Sequence, residues 1–284
     1  MKLALAGDTM LGRGVAKKLS ASPPESLFAP ELIEIARRAD LFVLNLECCI
    51  SERGSPAPGR VFHFRAPPVA AEALAHCGVS CVTLANNHAL DFGPAALADT
   101  VEHLGRVGIH AVVHEPVVLE ADGFRLAVVG LTDHPPDSAG HVAYADLSHE
   151  DVPGWAVPDL DADAILVTPH WGPNMAPKPV PHVRRAAAQL VKMGATLVTG
   201  HSAHLFHGVE GRVLYDLGDF LDDYRVDPVL RNDLGLLWLV ELEPLRIEAV
   251  PLKLEYCYTR IADGDDLAWI RRRLESLGGG VELL

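Results

Sequence analysis

The chain alternates short apolar runs with longer amphipathic stretches, and this rhythm restricts it to folds in which strands and helices follow one another. The runs "KLALAG", "LFVLNLE" and "VSCVTLANN" read as strands, with helical "APELIEIARRA" and "PVAAEALAHCG" between them. That is a βαβαβ series. A further helix, "GPAALADTVEHLGRVG", has Pro94 near its start and Gly108 at its end, and "HAVV", "FRLAVVGLT" and "AILVTPHWG" follow as strands. Beyond these, "PHVRRAAAQLVKMG" reads as a helix, "ATLVTGHSAH" as a strand and loop, and "GRVLYDLGDF" as one strand. The stretch "GLLWLVELEPLRIEAVPLKLEY" alternates like an antiparallel pair turning at Glu243-Pro244. An α/β fold with mixed sheets is expected. No composition shift marks a boundary, so residues 1–284 are expected to form a single domain, with "SERGSPAPGRV" and positions 134–158 as surface loops flanking a site.

With 49% hydrophobic residues the chain can bury a sizeable core. A net charge of -14 argues against a nucleic-acid partner, because binding that backbone depends on a basic field. Fourteen histidines stand against five cysteines, and neutral imidazole is the commonest transition-metal ligand. Cys48, Cys49, Cys77, Cys81 and Cys257 are odd in number and lack C-x-x-C spacing, which fits reduced thiols better than disulfides or a cysteine zinc site. The opening "MKLALAGD" is cut by Asp8 short of a signal-peptide core, and no later run approaches a membrane span. A soluble, cytoplasmic protein with no membrane partner is expected.

The strands stop at residues able to bind metal. "LALAGD" ends at Asp8, "FVLNLE" at Glu47, "VTLANNH" at Asn87 and His88, "ILVTPH" at His170, and "LVTGHSAH" at His201 and His204. Singly, each has an ordinary explanation: Asp8 and Asn86 as turn caps, Glu47 as an exposed strand end, a histidine as a hydrogen-bonded loop residue. Together they are harder to dismiss. In α/β sheets ligands gather at the carboxyl ends of strands, and this set of oxygen and nitrogen donors matches a two-metal site.

The motifs "GDTMLGR", "LNLECCIS", "TLANNHALDFG", "PHWG", "GHSAH" and "LGDF", in this order from Lys2 to about Asp222, make the chain similar to the CapA family. That family is named for capsule and poly-gamma-glutamate biosynthesis and resembles a branch of the calcineurin-like metallophosphoesterase superfamily. The resemblance implies a four-layer αββα sandwich with two mixed β-sheets. It implies one metal on Asp8, Glu47 and His204, a second on Glu47, Asn87, His170 and His201, and His88 as the catalytic residue. Two divalent ions are expected, with manganese, iron and zinc all compatible. The chain departs from the pattern at Met10, where the wider superfamily has a histidine, leaving the first metal a ligand short. Asn174 stands where a glutamate often follows His-Trp-Gly, and Asp219 replaces a more usual asparagine.

Around these motifs, Arg13 and Arg65 are candidates to clamp an anionic group, since guanidinium matches phosphate or carboxylate bidentately. Asp91, three residues after His88, suits either an orienting partner for its ring or, as favoured here, a helix N-cap before Pro94. His63, His182 and His207 have the spacing of ordinary surface histidines, and Trp171 reads as packing or a site wall. The resemblance implies a hydrolase acting on a small anionic substrate, a phosphomonoester or phosphodiester, by attack of a metal-bound hydroxide. Two alternatives stay open. One is gamma-glutamyl amide chemistry, as the family name suggests, and the other is a non-catalytic metal-binding module.

Overall fold

The computed structural model describes residues 1–134 and 140–284. One sheet has the order Tyr258–Ile261, Leu245–Glu255, Leu234–Leu242, Lys2–Thr9, Leu41–Leu46, Cys81–Thr83, His110–Val112. Its last four strands are mutually parallel, while Leu234–Leu242 pairs antiparallel with both Lys2–Thr9 and Leu245–Glu255. The second sheet has the order Val209–Glu210, Val213–Leu214, Leu197–Thr199, Ala164–His170, Phe124–Thr132, Val117–Ala121. Here too the strands that carry motif residues, Ala164–His170 and Leu197–Thr199, run parallel to each other.

Period-two alternation within the strands builds the layers. In Lys2–Thr9, Leu3 and Leu5 point into the apolar core between the sheets while Ala4 and Ala6 face the helical side. Leu41 and Val43 join the first pair, and Phe42 and Leu44 the second. In the other sheet Leu126, Leu166 and Leu197 face the shared core, whereas Val129, Val167 and Val198 turn outward onto Val183, Ala186 and Leu190 of the helix Pro181–Met193. Three apolar cores between four layers make the αββα sandwich, and strands buried on both faces read as continuous apolar runs. Each fully buried leucine, valine or phenylalanine contributes about 1.5–3 kcal/mol by leaving water.

Several local expectations are revised. The stretch "GRVLYDLGDF" is two strands: Val213–Leu214 belongs to the second sheet and Asp219–Leu221 pairs parallel with Lys2–Thr9 in the first. Asp216 breaks the run by accepting the backbone N–H groups of Ala203 and Gly218, and Gly218 has φ of +80°. The expected loop at 134–158 falls partly on positions 135–139, outside the described residues. Its described part carries the short 3-10 turn Gly154–Ala156. All five cysteines are buried free thiols. No helix among the described residues is long and apolar enough to cross a membrane.

Candidate metal centre and cleft

The carboxyl ends of the parallel strands from both sheets meet at one place. Asp8 lies near the end of Lys2–Thr9 and Glu47 just past Leu41–Leu46, while His170 ends its strand and forms an isolated bridge with His201. Asn45 joins three strand ends. Its Nδ2 donates to Asp8 Oδ1 at 2.7 Å, and its Oδ1 accepts from Thr83 Oγ1 and Asn86 Nδ2, both at 3.1 Å. Asn86 also fixes the turn, donating to Leu46 O and accepting the backbone N–H groups of His88 and Ala89. From the other sheet, Ser202 N donates to Asp8 Oδ2 at 3.0 Å. Ser202 and His204 both hold left-handed backbone, at φ +104° and +57°, a conformation that costs about 1–3 kcal/mol per non-glycine residue.

Five of the six expected ligands approach one another closely. His170 Nε2 lies 3.3 Å from Glu47 Oε1, His201 Nδ1 3.7 Å from Asp8 Oδ1, and His204 Nδ1 3.4 Å from Asp8 Oδ2. Asp8, Glu47 and His170 form one group compact enough to hold an ion, and Asp8, His204 and Asp219 form another. Asn87 follows Asn86 at the same strand end. Buried donor atoms without hydrogen-bond partners include Asn87 Oδ1, both ring nitrogens of His170, His201 Nδ1 and Asp219 Oδ2. Each such atom costs about 1–3 kcal/mol if nothing satisfies it. Orphaned oxygens and imidazole nitrogens gathered among buried acids fit a site for divalent cations.

Electrostatics point the same way. Burial and the adjacent Glu47 push the Asp8 carboxyl up. Burial acts upward on Glu47 too, but the neighbouring His204 and His170 overcome it and bring the group down to about 2. Burial drives Asp216 and Asp219 well up and Asp222 to about 6, and it drives His201 down to about 3. His204 goes the other way: burial would lower it, yet Asp219 and Glu47 hold it well above the ordinary imidazole value. Buried carboxylates outnumber nearby positive charges, a balance that cations reverse.

His88 stands beside this centre on the wall of a cleft of about 700 Å³. Its Nδ1 is 2.7 Å from Asp91 Oδ2, and its ring packs on Phe64 at 4.2 Å between centroids. Asp91 therefore orients the histidine; the N-cap of the helix Pro94–Arg106 is Gly93, with no side-chain cap, which corrects the expected capping role. Arg13 lines the cleft over the rings of Phe62, Phe64 and Tyr224, but its guanidinium is paired with Asp223. Arg65 lies elsewhere, stacked on Phe92 with its centre 4.2 Å from the ring centroid. Asn174 is on the cleft wall. Trp171 is buried, donating Nε1–H to Tyr215 O at 3.0 Å, so it packs rather than lines the cleft.

Sequence reasoning missed several neighbours of the centre. His134 packs against His170, tilted by 60° with ring centroids 5.0 Å apart, and pairs Nε2 with Ser202 Oγ at 2.9 Å. Tyr224 donates its hydroxyl to Glu47 Oε2 at 3.4 Å, and Arg60 bonds Asn87 O and Asp91. Only Asn45, a polar residue inside the apolar "LFVLNLE", carries a signal in the sequence. The three histidines read as ordinary are not free on the surface: His63 bonds Ala57 O, His182 bonds Asp133, and His207 is buried against Ala176 O.

His207, apart from the candidate centre, makes stability depend on pH. Burial lowers it to about 4, although its bond to Ala176 O acts upward. The unfolded imidazole, near 6.5, takes its proton first, so this contribution is full above about pH 6.5 and is lost as pH falls toward 4, about 2 kcal/mol of it by pH 5. Urea unfolding of parent and His207→Phe at about pH 7 and 5 should show the smaller acid loss in the variant; equal losses would contradict the assignment.

The architecture is similar to that of a phosphatase from Mycoplasma pneumoniae, with a TM-score of 0.54 and 13% identity over 94% of this chain and 96% of that one. At such identity the likeness is one of fold, and that fold is the metallophosphoesterase sandwich. The family described as bacterial capsule synthesis protein PGA_cap matches residues 2–224, and the chain belongs to it. It is 28% identical over 275 residues to a probable polyglutamine synthesis accessory protein of Mycobacterium tuberculosis, covering 84% of this chain and 72% of that protein. It is 24% identical to the capsule biosynthesis protein CapA of Bacillus anthracis, covering 78% of this chain and 60% of that protein.

Proposed function

We propose that this protein is a hydrolase of small phosphomonoesters or phosphodiesters that works with two divalent cations. The observation that carries the reading is the set of orphaned buried donors, Asn87 Oδ1, the His170 nitrogens and His201 Nδ1, gathered with Asp8 and Glu47 in a buried group whose His204 reaches the wall of the cleft. Asp8, Glu47 and His204 would hold one ion, and Glu47, Asn87, His170 and His201 the other. Bound there, two cations lower the pKa of water from 15.7 to about 7 and offset charge on phosphoryl oxygens.

The chain's own contribution is position and proton placement. Asp91 holds His88 at Nδ1, and with both ring nitrogens protonated the imidazolium would present Nε2–H as donor to a phosphoryl or departing oxygen. Phe64 packs on the His88 ring and keeps water off that face. The names of the relatives favour a second reading, chemistry on gamma-glutamyl chains, in which the same centre would polarise a carbonyl. Elemental analysis of protein purified without added metal, paired with a phosphoester panel, tests the first reading. About two equivalents of transition metal and turnover of an activated ester are expected, and metal-loaded protein inert toward the whole panel would refute it.

A further inference from the structure

We propose that Asp219 is a direct ligand of the cation on the Asp8 and His204 side, filling the coordination position left open at Met10. The proposal rests on the two-metal reading above. Met10 cannot serve there: it is buried in the helix-side core, and its sulfur accepts the N–H of Gly12 at 3.0 Å. Asp219 reaches the centre from a different strand. In the parallel pairing of Lys2–Thr9 with Asp219–Leu221, Asp8 and Asp219 are register partners, so their side chains share one face of the sheet.

Placing two buried carboxylates opposite each other is unfavourable unless something positive lies between them. The backbone is nevertheless built to bring them together. Asp8 N donates to Gly218 O at 3.0 Å, and a Cβ on Gly7 would stand 1.7 Å from that same carbonyl oxygen, so only glycine permits the approach. His204 Nδ1 lies 2.8 Å from Asp219 Oδ1 and 3.4 Å from Asp8 Oδ2. Donors bound at about 2.0–2.2 Å to one transition-metal ion stand about 2.8–3.6 Å apart, which matches both separations. Asp219 is 1% exposed and its Oδ2 has no hydrogen-bond partner. A carboxylate that only steadied His204 would need one acceptor oxygen, a task an asparagine performs equally well; the charged second oxygen is the part that role leaves unused. His204, as imidazole deprotonated at Nδ1, and the Asp219 carboxylate would hold the same ion.

Cobalt titration tests this, read by absorbance and elemental analysis rather than by turnover. The parent should take up two equivalents. Asp219→Cys, loaded with cobalt, should show a near-ultraviolet thiolate-to-cobalt charge-transfer band that the parent lacks, the parent spectrum controlling for the five native cysteines. Asp219→Asn keeps an acceptor for His204 but loses the charge, and it should retain only one equivalent after dialysis. Two tightly held cobalt ions in Asp219→Asn, or a fully loaded Asp219→Cys without the band, would overturn the proposal while leaving the two-metal reading standing. A parent that binds no cobalt would remove both.

Discussion

Glu47→Ala is expected to release metal from both positions and reduce turnover to background, whereas His88→Ala should keep its metal and lose about 10²- to 10⁴-fold in rate. The difference follows from position. Glu47 is 1% exposed, its Oε1 is 3.3 Å from His170 Nε2, and it accepts from Tyr224; in the proposed ligand sets it is the carboxylate given to both ions, packed with Asp8, which belongs to both compact groups. Removing Glu47 takes one shared carboxylate from each proposed site. His88 is tied to Asp91 and Phe64 on the cleft wall, with no buried donor atom left orphaned. Its loss should therefore register in turnover and in the pH profile, not in metal content. Elemental analysis beside initial rates separates the two outcomes. Metal stripped from His88→Ala but retained by Glu47→Ala would reverse the roles.

What the sequence made legible was wherever an apolar run was interrupted by a polar residue. Asp8, Glu47, Asn87, His170 and His201 each end such a run, and the parallel strands deliver them to one end of the sandwich. Period-two alternation likewise separated the two faces of each strand. Contacts set by register and by chain crossings were not legible. The hydroxyl of Tyr224 meets a carboxylate 177 positions away, and His134 meets Ser202 across 68. No local pattern encodes either. The stretch containing Asp219 misled for a physical reason: its apolar residues suit one strand, but Asp216 and Gly218 turn the chain from one sheet to the other. That crossing is what sets Asp219 opposite Asp8, so the most consequential neighbour of the centre came from the segment whose pattern concealed it. Asp91 was ambiguous because an acid three residues after a histidine and three before a proline suits either role. The glycine that caps the helix decided it.

Phosphate should decide between ester and amide chemistry. A tetrahedral phosphoryl group can span two cations through two oxygens, with the leaving group pointed away from the attacking side, and inorganic phosphate or vanadate can occupy the same clamp. Amide cleavage or formation on gamma-glutamyl chains needs no such bridge. The cleft of about 700 Å³ admits either substrate, so its size does not choose between them. Arg13, stacked over the Phe64 ring on the cleft wall, is already paired with Asp223. Manganese-loaded protein is expected to hydrolyse an activated phenyl phosphate mono- or diester, with phosphate and vanadate competing against substrate and apo-protein inactive. Glutamyl oligomers should survive the same incubation. Oligomers cleaved or extended while every phosphoester is ignored would install the amide reading, and metal-loaded protein inert toward both would leave a binding module; competitive inhibition by phosphate in the metal-loaded parent, with turnover lost together with metal in Glu47→Ala, is the result that ties the chemistry to this centre.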